Sequence, residues 1–421
     1  MYDNIDPDAA ESETPLGCGP RLPVVSGDAK TLRQQIFEHV RGEGRAARTD
    51  LTRALGISAG SATTLTAELI SAGLLREVEG LARESARGRP PVALEVVNEG
   101  RYVIGIKLSD EMHSAVLTDF AGQMLADATL PTPPGRKSIE TLLDEIDALM
   151  DLVLKPVNKA LADISAVGIG LSGLVDHNTG IVAWSPLLTE PDMNLGQSFL
   201  ERFGVPLFVD NDSNVLTLAE LWFGAGRSMS DFAVVTIEHG VGMGFVLENR
   251  LFRGARGMGF ELGHIKVQLD GALCRCGQRG CLEAYLADYA LAREAATALH
   301  RNPRNQQSAN AMLDALFSQA KSGNEAARTI FRRAGRYLSV GLSNVIQLFD
   351  PELIILSGER MQYDYLYADE VIAEMQRLTL NSGRVPCQIE THAWGDLVWA
   401  RGASALALTA VTDRVVGELR T

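Results

Sequence analysis

Residues 261–283 read ELGHIKVQLDGALCRCGQRGCLE, and this stretch carries the most specific pattern in the chain. It holds three cysteines within eight residues (Cys274, Cys276 and Cys281), with His264 upstream. Three thiolates and one imidazole make a closed tetrahedral ligand set for zinc, and the intervening glycines let a loop fold around an ion. The alternative is a group of buried or redox-active cysteines. The compact spacing favours a structural zinc site, with no coordination position left open for catalysis.

The segment at residues 30–97 predicts a winged helix-turn-helix. Three helical patterns follow one another, with Thr49 and Ser58 as the expected N-caps of the second and third. The link Leu55-Gly56-Ile57-Ser58 is the tight, glycine-containing turn that such a motif needs. Leu74–Val78 and Val92–Val96 then alternate as two strands. A small helical packing module is the alternative, and the two strands argue against it.

The expected DNA contacts of this segment are short hydroxyl side chains and two arginines. Ser61, Thr63 and Thr64 stand at the front of the third helix, where they can reach phosphates or base edges. Arg87 and Arg89, flanked by glycine and proline, form an extended basic segment suited to a narrow minor groove. Because the third helix has no lysine or arginine, the electrostatic part of the affinity is expected to depend on these two arginines.

The rest of the chain predicts a tail and an α/β sensor domain. Residues 1–29 are rich in Asp, Glu, Gly and Pro without periodicity, which is typical of a disordered tail. Residues 98–421 contain a run of strands followed by alternating helices, and the set occurs twice. This order predicts two lobes with a cleft between them, and the C-terminal helix is expected to return to the first lobe. The expected strands include Tyr102–Leu108, His113–Asp119, Gln123–Ala128, Ile164–Leu171, Pro206–Val209, Phe232–Ile237, Gly242–Leu247 and Glu352–Leu356.

Three motifs together resemble the ROK family (repressors, open reading frames, kinases). They are Glu261-Leu262-Gly263-His264, the Cys-x-Cys-Gly-x-x-Gly-Cys-x-Glu run ending at Glu283, and Val209-Asp210-Asn211-Asp212-Ser213-Asn214. The resemblance covers the chain from about Thr31, and the winged helix-turn-helix is similar to that of the repressor branch. It implies an actin-like, ribonuclease-H-like two-lobed sugar-kinase fold behind the DNA-binding domain.

The resemblance also implies a sugar-binding set. In the family an Asn-Asp pair, a Glu-x-x-His…Glu set and a glycine turn surround a hexose, and the corresponding residues here are Asn211, Asp212, Glu261, His264, Glu283 and Gly173. The chemistry agrees, since carboxylates and amides pair with sugar hydroxyls. His264 would bind zinc through one ring nitrogen and a hydroxyl through the other. A single carboxylate is more often a solvated surface charge; the shared motif frame favours a site.

Both phosphate loops of the kinase branch are altered. An Asp-x-Gly-x-Thr-type loop is expected between the first two strands, but Lys107 stands at the acidic position. Asp110 and Glu111 would face the phosphates there, and each opposes a triphosphate by on the order of 1 kcal/mol or more. Residues 238–242 place Glu and His where Gly-Thr is usual. Asp212 matches the family's general base, but without a phosphoryl donor it is interpreted as a sugar ligand.

Composition and charge fit a globular cytoplasmic protein that binds DNA through one domain. No apolar stretch of membrane-spanning length and no signal sequence is present. Residues 30–97 carry ten Lys/Arg and eight Asp/Glu, a net charge of +2, which leaves −16 on the rest of a chain of net charge −14. A mildly basic domain on an acidic body is compatible with binding a polyanion through one face. The remaining cysteines, Cys18 and Cys387, carry no pattern.

These features predict a sugar-responsive DNA-binding transcriptional regulator, a repressor with a structural zinc, a degenerate ATP site and no enzymatic activity. Operator DNA and a small sugar or sugar derivative are its expected partners, and it is expected to act as a homodimer or homotetramer. Two alternatives remain open. One is an active ROK hexose kinase with an appended DNA-binding domain, and the other is a regulator controlled by a protein partner.

Overall fold

The computed structural model describes residues 17–22, 30–79, 92–255, 257, 259–298, 309–358, 361, 369–380, 383, 385–393, 395, 397–417 and 419. These residues form an N-terminal helical unit, called the head, followed by two α/β lobes. The order of elements agrees with the fold class expected from the sequence.

The head has three helices and a three-stranded antiparallel sheet of order β1-β3-β2. Its elements are α1 Leu32–Glu43, β1 Arg45–Ala47, α2 Arg48–Leu55, α3 Ala59–Ser71, β2 Leu75–Glu79 and β3 Val92–Val96. Ser58 caps α3 as predicted, its hydroxyl accepting the Ser61 N–H at 3.0 Å. The prediction that Thr49 caps α2 is wrong. Strand β1 runs up to Ala47, so α2 begins one residue before Thr49, and Asp50 accepts the Ala47 N–H at 3.2 Å.

The first lobe is built on a five-stranded sheet of order β11-β7-β4-β5-β6. Its elements are β4 Tyr102–Leu108, β5 Met112–Asp119, β6 Met124–Pro131, α4 Ile139–Leu154, β7 Ile164–Leu171, β8 Leu174–Asp176, β9 Ile181–Trp184, β10 Met193–Asn194, α5 Leu195–Phe203 and β11 Leu207–Asn211. Apolar side chains of α4 and α5 pack on one face of the sheet. Strands β4, β7 and β11 are parallel, so the loops after β7 and β11 lie at the same edge.

The second lobe repeats this plan with a sheet of order β14-β13-β12-β15-β16. Helix α6 Asp212–Phe223 leads into it, and its elements are β12 Phe232–Ile237, β13 Val241–Leu247, β14 Arg250–Phe252, α7 Glu283–Leu286, α8 Asp288–Ala298, α9 Ala309–Lys321, α10 Glu325–Phe349, β15 Leu353–Ser357, α11 Asp369–Leu378 and β16 Gln388–His392. Its apolar core lies between this sheet and α10.

Helix α12, Val398–Gly417, lies in the first lobe, between its sheet and α6. Three glycines make this position possible because backbone meets backbone there. A Cβ on Gly168 would lie 1.9 Å from the Ala403 carbonyl oxygen, and one on Gly402 would lie 1.7 Å from the Val215 carbonyl oxygen. A Cβ on Gly105 would meet the Ala400 carbonyl oxygen at 2.0 Å. Among the described residues no helix, α12 included, is long and apolar enough to cross a bilayer.

Part of the expected disordered tail is ordered. Residues 17–22 lie between the head and the first lobe, where Cys18 is 3% exposed. The Cys18 N–H donates to the Arg41 carbonyl at 3.0 Å, and the Gly19 N–H donates to the Trp222 carbonyl at 2.9 Å. The prediction of disorder over residues 1–29 is therefore wrong for this segment. Its small residues fit into a narrow space between the two. The polar composition of the tail gave no indication of this packing.

Candidate functional site

The four predicted metal ligands come together in the second lobe. The ligand atoms of His264, Cys274, Cys276 and Cys281 all lie within 4.8 Å of one another. The Cys276 and Cys281 sulfurs are 3.7 Å apart, and His264 Nδ1 lies 3.8 Å from Cys274 Sγ. A tetrahedron with metal–sulfur bonds of about 2.3 Å has edges of about 3.8 Å. The cluster therefore has the dimensions of a tetrahedral metal site.

A backbone turn and a lysine support this cluster. The Cys274 N–H donates to the Gln278 carbonyl at 2.8 Å, and the Gly277 N–H donates to the Cys274 carbonyl at 3.0 Å. Lys266 Nζ lies 2.9 Å from Cys281 Sγ. Three thiolates around a divalent ion carry a net charge of about −1, which this ammonium offsets. Sequence reasoning missed Lys266, although its position two residues after His264 was a signal.

The residue before Glu261 has an unusual backbone conformation, which sets the position of Glu261 beside the metal cluster. The preceding residue, Phe260, has a φ of 66°, a left-handed conformation that is rare for a bulky side chain. Its ring packs among the rings of Phe245, Phe252 and Phe349, with centroids 5.2–5.5 Å away. These contacts hold the backbone so that Glu261 begins the turn leading to His264, and its Oε2 lies 3.9 Å from His264 Nε2.

The first lobe contributes its part of the site from the carboxyl ends of β7 and β11. Asn211 Nδ2 donates to the Gly173 carbonyl at 2.8 Å, and the Ser172 hydroxyl donates to Asp212 Oδ2 at 2.5 Å. Gly173 has a φ of 138°, and a Cβ there would lie 2.1 Å from the Trp184 carbonyl oxygen. Only glycine fits this turn. Sequence reasoning missed Ser172, which is next to the predicted Gly173.

Glu283 contacts the metal cluster and also lies near the carboxylate of Glu261. Its side chain is 8% exposed, Oε1 lies 3.4 Å from Cys274 Sγ, and the Tyr289 hydroxyl donates to it at 3.3 Å. Burial raises the pKa of Glu261; the neighbouring His264 lowers it, while the nearby carboxylates of Asp212 and Glu283 raise it further. The structure thus brings Asp212 of the first lobe and Glu283 of the second close enough to Glu261 to interact with it.

An ion pair between the lobes borders this cleft. Asp210 is 1% exposed and accepts from Arg253 Nε and from Asn214 Nδ2, each at 2.7 Å. Arg253 follows β14, and its carbonyl accepts the Gly259 N–H at 3.0 Å, two residues before Glu261. The pair therefore fixes the loop that carries Glu261 relative to β11. Sequence reasoning missed it, because nothing in the sequence pairs Arg253 with a residue of β11.

Two of the three predicted DNA-contacting residues of α3 are exposed to solvent. Thr63 and Thr64 are exposed, while Ser61 is half-buried with its hydroxyl 2.9 Å from that of Ser58. The Thr63 hydroxyl donates to the Ala59 carbonyl at 2.9 Å, so its oxygen is still able to accept a hydrogen bond. The two predicted wing arginines, Arg87 and Arg89, lie outside the described residues.

At the turn between β4 and β5, two backbone N–H groups are hydrogen-bonded to side chains of the same hairpin. The Ser109 N–H donates to His113 Nδ1 at 3.2 Å, and the Met112 N–H donates to the Ser109 hydroxyl, also at 3.2 Å. His113 is fully buried, and its Nε2 lies 3.0 Å from Glu145. The ammonium of Lys107 lies 3.6 Å from the centre of the Trp399 ring. These bonds occupy groups that a phosphate-binding turn would keep free.

Comparison with known proteins assigns the two lobes to one family. The model of the ROK family matches residues 103–410. A xylose repressor from Caldicellulosiruptor bescii is 27% identical over 370 residues, covering 86% of this chain and 91% of the relative.

Two solved structures share the fold. A ROK family transcriptional regulator, a homolog of the E. coli MLC protein, superposes with a TM-score of 0.75 at 26% identity and covers 91% of this chain and 96% of its own. A ROK family glucokinase from Streptomyces griseus, solved with glucose and AMPPNP, gives a TM-score of 0.62 at 29% identity. The latter match covers 99% of the glucokinase but 73% of this chain.

Arg253→Ala is expected to lower the free energy of unfolding by about 3–5 kcal/mol, because the buried Asp210 carboxylate loses its arginine partner. Arg202→Ala is the matched control. Arg202 Nη2 makes an equally short 2.7 Å pair with Asp144, but that carboxylate is 69% exposed, so the loss should stay below about 1 kcal/mol. Urea unfolding of both variants measures the difference. Equal losses would contradict the role assigned to the Asp210 pair.

Proposed function

The chain belongs to the ROK family, and within it we propose that this protein is a sugar-responsive DNA-binding transcriptional regulator without kinase activity. One observation carries the proposal. The carboxylate of Glu261 lies near those of Asp212 and Glu283, whereas the backbone N–H groups of Ser109 and Met112, at the turn between β4 and β5, donate to side chains of the same hairpin. Grouped carboxylates can bind a polyhydroxylated ligand, whereas a phosphate cradle needs backbone N–H groups that are free to donate.

The donors and acceptors of the cleft match a sugar ring. Asp212, Glu261 and Glu283 accept hydrogen bonds from hydroxyl groups, and the Asn211 amide both donates and accepts. His264 directs Nδ1 toward the cysteines and Nε2 toward Glu261. With a metal on Nδ1, Nε2 carries the proton and can donate to a hydroxyl oxygen. Gly173 lines the same edge of the first lobe.

Zinc is the proposed occupant of the cysteine cluster. Thiolate and imidazole ligands in a tetrahedral arrangement are its preferred environment, and four protein ligands leave no position for substrate. Its role is then structural. It holds the turn that carries His264 and the loop that leads to Glu283, so that both reach the cleft.

The head is proposed to bind operator DNA. Its α3 presents Thr63 and Thr64 at the surface, and the segment that follows β2 contains Arg87 and Arg89. Paired half-sites need two heads, so we propose a homodimer or homotetramer. The xylose repressor similar to this chain supports assigning the protein to repression.

The second candidate is a hexose kinase with an appended DNA-binding domain. Asp212 is retained where a general base would stand, and the glucokinase similarity covers both lobes. Against it, Lys107, Asp110 and Glu111 alter the first phosphate loop and His239 alters the second. Metal content, DNA binding and sugar turnover test the proposal separately.

Protein purified without added metal is expected to contain about one zinc per chain, because the ligand set binds zinc as part of folding. Cys276→Ser removes one ligand and should lower the zinc content by more than half. Cys387→Ser is the control, since Cys387 lies outside the cluster and should leave zinc unchanged. Mass spectrometry of the metal content measures both. Less than a tenth of an equivalent in the unaltered protein would rule zinc out.

The double change Arg87→Ala and Arg89→Ala is expected to weaken binding to DNA selected from a random duplex library by the unaltered protein. Two lost phosphate contacts should lower the slope of log K against log salt by up to about two. Fluorescence anisotropy over a salt series measures it, with Arg202→Ala in the first lobe as control. An unchanged slope would show that residues other than Arg87 and Arg89 make the phosphate contacts.

One or more sugars from a panel of D-xylose, D-glucose and N-acetyl-D-glucosamine is expected to bind without being phosphorylated. Asp212→Asn keeps the shape of the site but replaces an acceptor with a group that also donates. It should cost roughly 1.5–3 kcal/mol of affinity by calorimetry, or more than tenfold in Kd. Asp144→Asn, an exposed carboxylate elsewhere in the first lobe, is the control. Turnover with Mg-ATP at about 1–100 per second would establish the kinase instead.

A further inference from the structure

We propose that helix α6 transmits the occupancy of the sugar site to the head, through a junction formed by Trp222, Arg41 and residues 17–22. This inference rests on the proposed function, since it concerns the regulation of the same site. It adds a physical connection between two sites in different domains, which any effect of sugar on DNA binding requires.

The two ends of α6 lie at the two sites. Asp212, in its first turn, is in the carboxylate cleft, and Trp222 near its last turn contacts the head. Twelve residues of helix span about 18 Å. Every residue from Ser213 to Trp222 is buried, and α6 meets the backbone of α12 at Gly402. A displacement at one end of such a close-packed helix is transmitted to its neighbours, because protein interiors have low compressibility.

The head meets this helix through a buried cation. Arg41 of α1 is 3% exposed, and its guanidinium lies 4.5 Å from the centre of the Trp222 ring and 5.4 Å from that of Phe37. One Nη donates to the Thr412 hydroxyl of α12 at 2.8 Å, but Nε has no hydrogen-bond partner among the described residues. A buried charge with an incomplete set of partners depends on its aromatic neighbours. A displacement of Trp222 therefore changes the environment of Arg41 directly.

Residues 17–22 hold the same two residues together by their backbones. Cys18 N–H bonds the Arg41 carbonyl, and Gly19 N–H bonds the Trp222 carbonyl. Arg227 Nε donates back to the Gly19 carbonyl at 3.1 Å. The Cys18 side chain fills the space above Gly122, where a Cβ would lie 2.0 Å from its sulfur. Residues 17–22 are thus hydrogen-bonded both to the head and to the sensor domain.

From Arg41 the connection continues to α3. Helix α1 packs on α3, and Arg33 of α1 donates to Glu68 of α3 at 2.5 Å. Side chains of the head and of α6 and α12 belong to one continuous apolar core. Because packed cores exchange between discrete arrangements and do not deform gradually, a shift of α6 on sugar binding reorients α3.

The test compares variants of the full chain for the ratio of operator Kd with and without D-xylose or N-acetyl-D-glucosamine, using DNA selected by the unaltered protein. An effect of about 5–150-fold is the usual range for coupled sites. In Trp222→Ala this ratio is expected to fall below about threefold, while sugar affinity by calorimetry stays within about threefold. Phe199→Ala, which removes a buried ring of α5 away from the junction, is the matched control and should keep the full ratio.

Two truncations test the segment itself. Removing residues 1–22 should reduce the ratio as Trp222→Ala does, whereas removing residues 1–16 should leave it intact. Calorimetric unfolding gives a readout that needs no sugar. The unaltered protein and Phe199→Ala should unfold the head and first lobe together, and Trp222→Ala should separate a head transition from the rest.

The outcomes distinguish this proposal from the proposed function. If neither sugar changes operator binding by the unaltered protein, the proposed sugar response is contradicted. The calorimetric unfolding result alone then tests whether the junction couples the head to the first lobe. An undivided transition in Trp222→Ala, or a sugar effect in that variant equal to the effect in Phe199→Ala, would overturn the role of the junction.

Discussion

The close contact of α12 with its neighbours is the constraint on which the rest of the structure depends. Gly105 and Gly168 bring the backbones of β4 and β7 against the helix, and Gly402 brings the helix against α6. Any side chain at these positions would separate the layers. With the layers in contact, α6 is held with Asp212 in the cleft and Trp222 at the head. The geometry of both functional regions therefore follows from one packing arrangement.

Local patterns allowed much of this to be predicted from the sequence. The metal cluster was predictable because its ligands lie close together in the chain, and the parallel strands because their apolar runs are short and continuous. The head was predictable from its caps, turn and strand pair. The exception at Thr49 arose because a three-residue strand displaced the helix start, an effect of tertiary pairing on a local signal.

The residues that sequence reasoning missed owe their positions to long-range packing. Asp210 pairs with Arg253 across the lobes, and residues 17–22 lie against Trp222, about two hundred residues away in the chain. Neither contact has a periodic or compositional signal. The Gly-Cys-Gly-Pro segment reads as a tail because its residues are small, and small residues are what a narrow junction accommodates.

The shared core of the head and the sensor also sets an order of events during synthesis. The Arg41 guanidinium bonds to Thr412, a residue 371 positions later, and Ile36 and Phe37 belong to the same core as Leu408 and Val411. On the ribosome the head is made first, yet its inner surface stays uncovered until α12 has emerged. A chain that stops before α12 therefore leaves the apolar inner surface of the head, including Ile36 and Phe37, without the partner that buries it in the finished molecule.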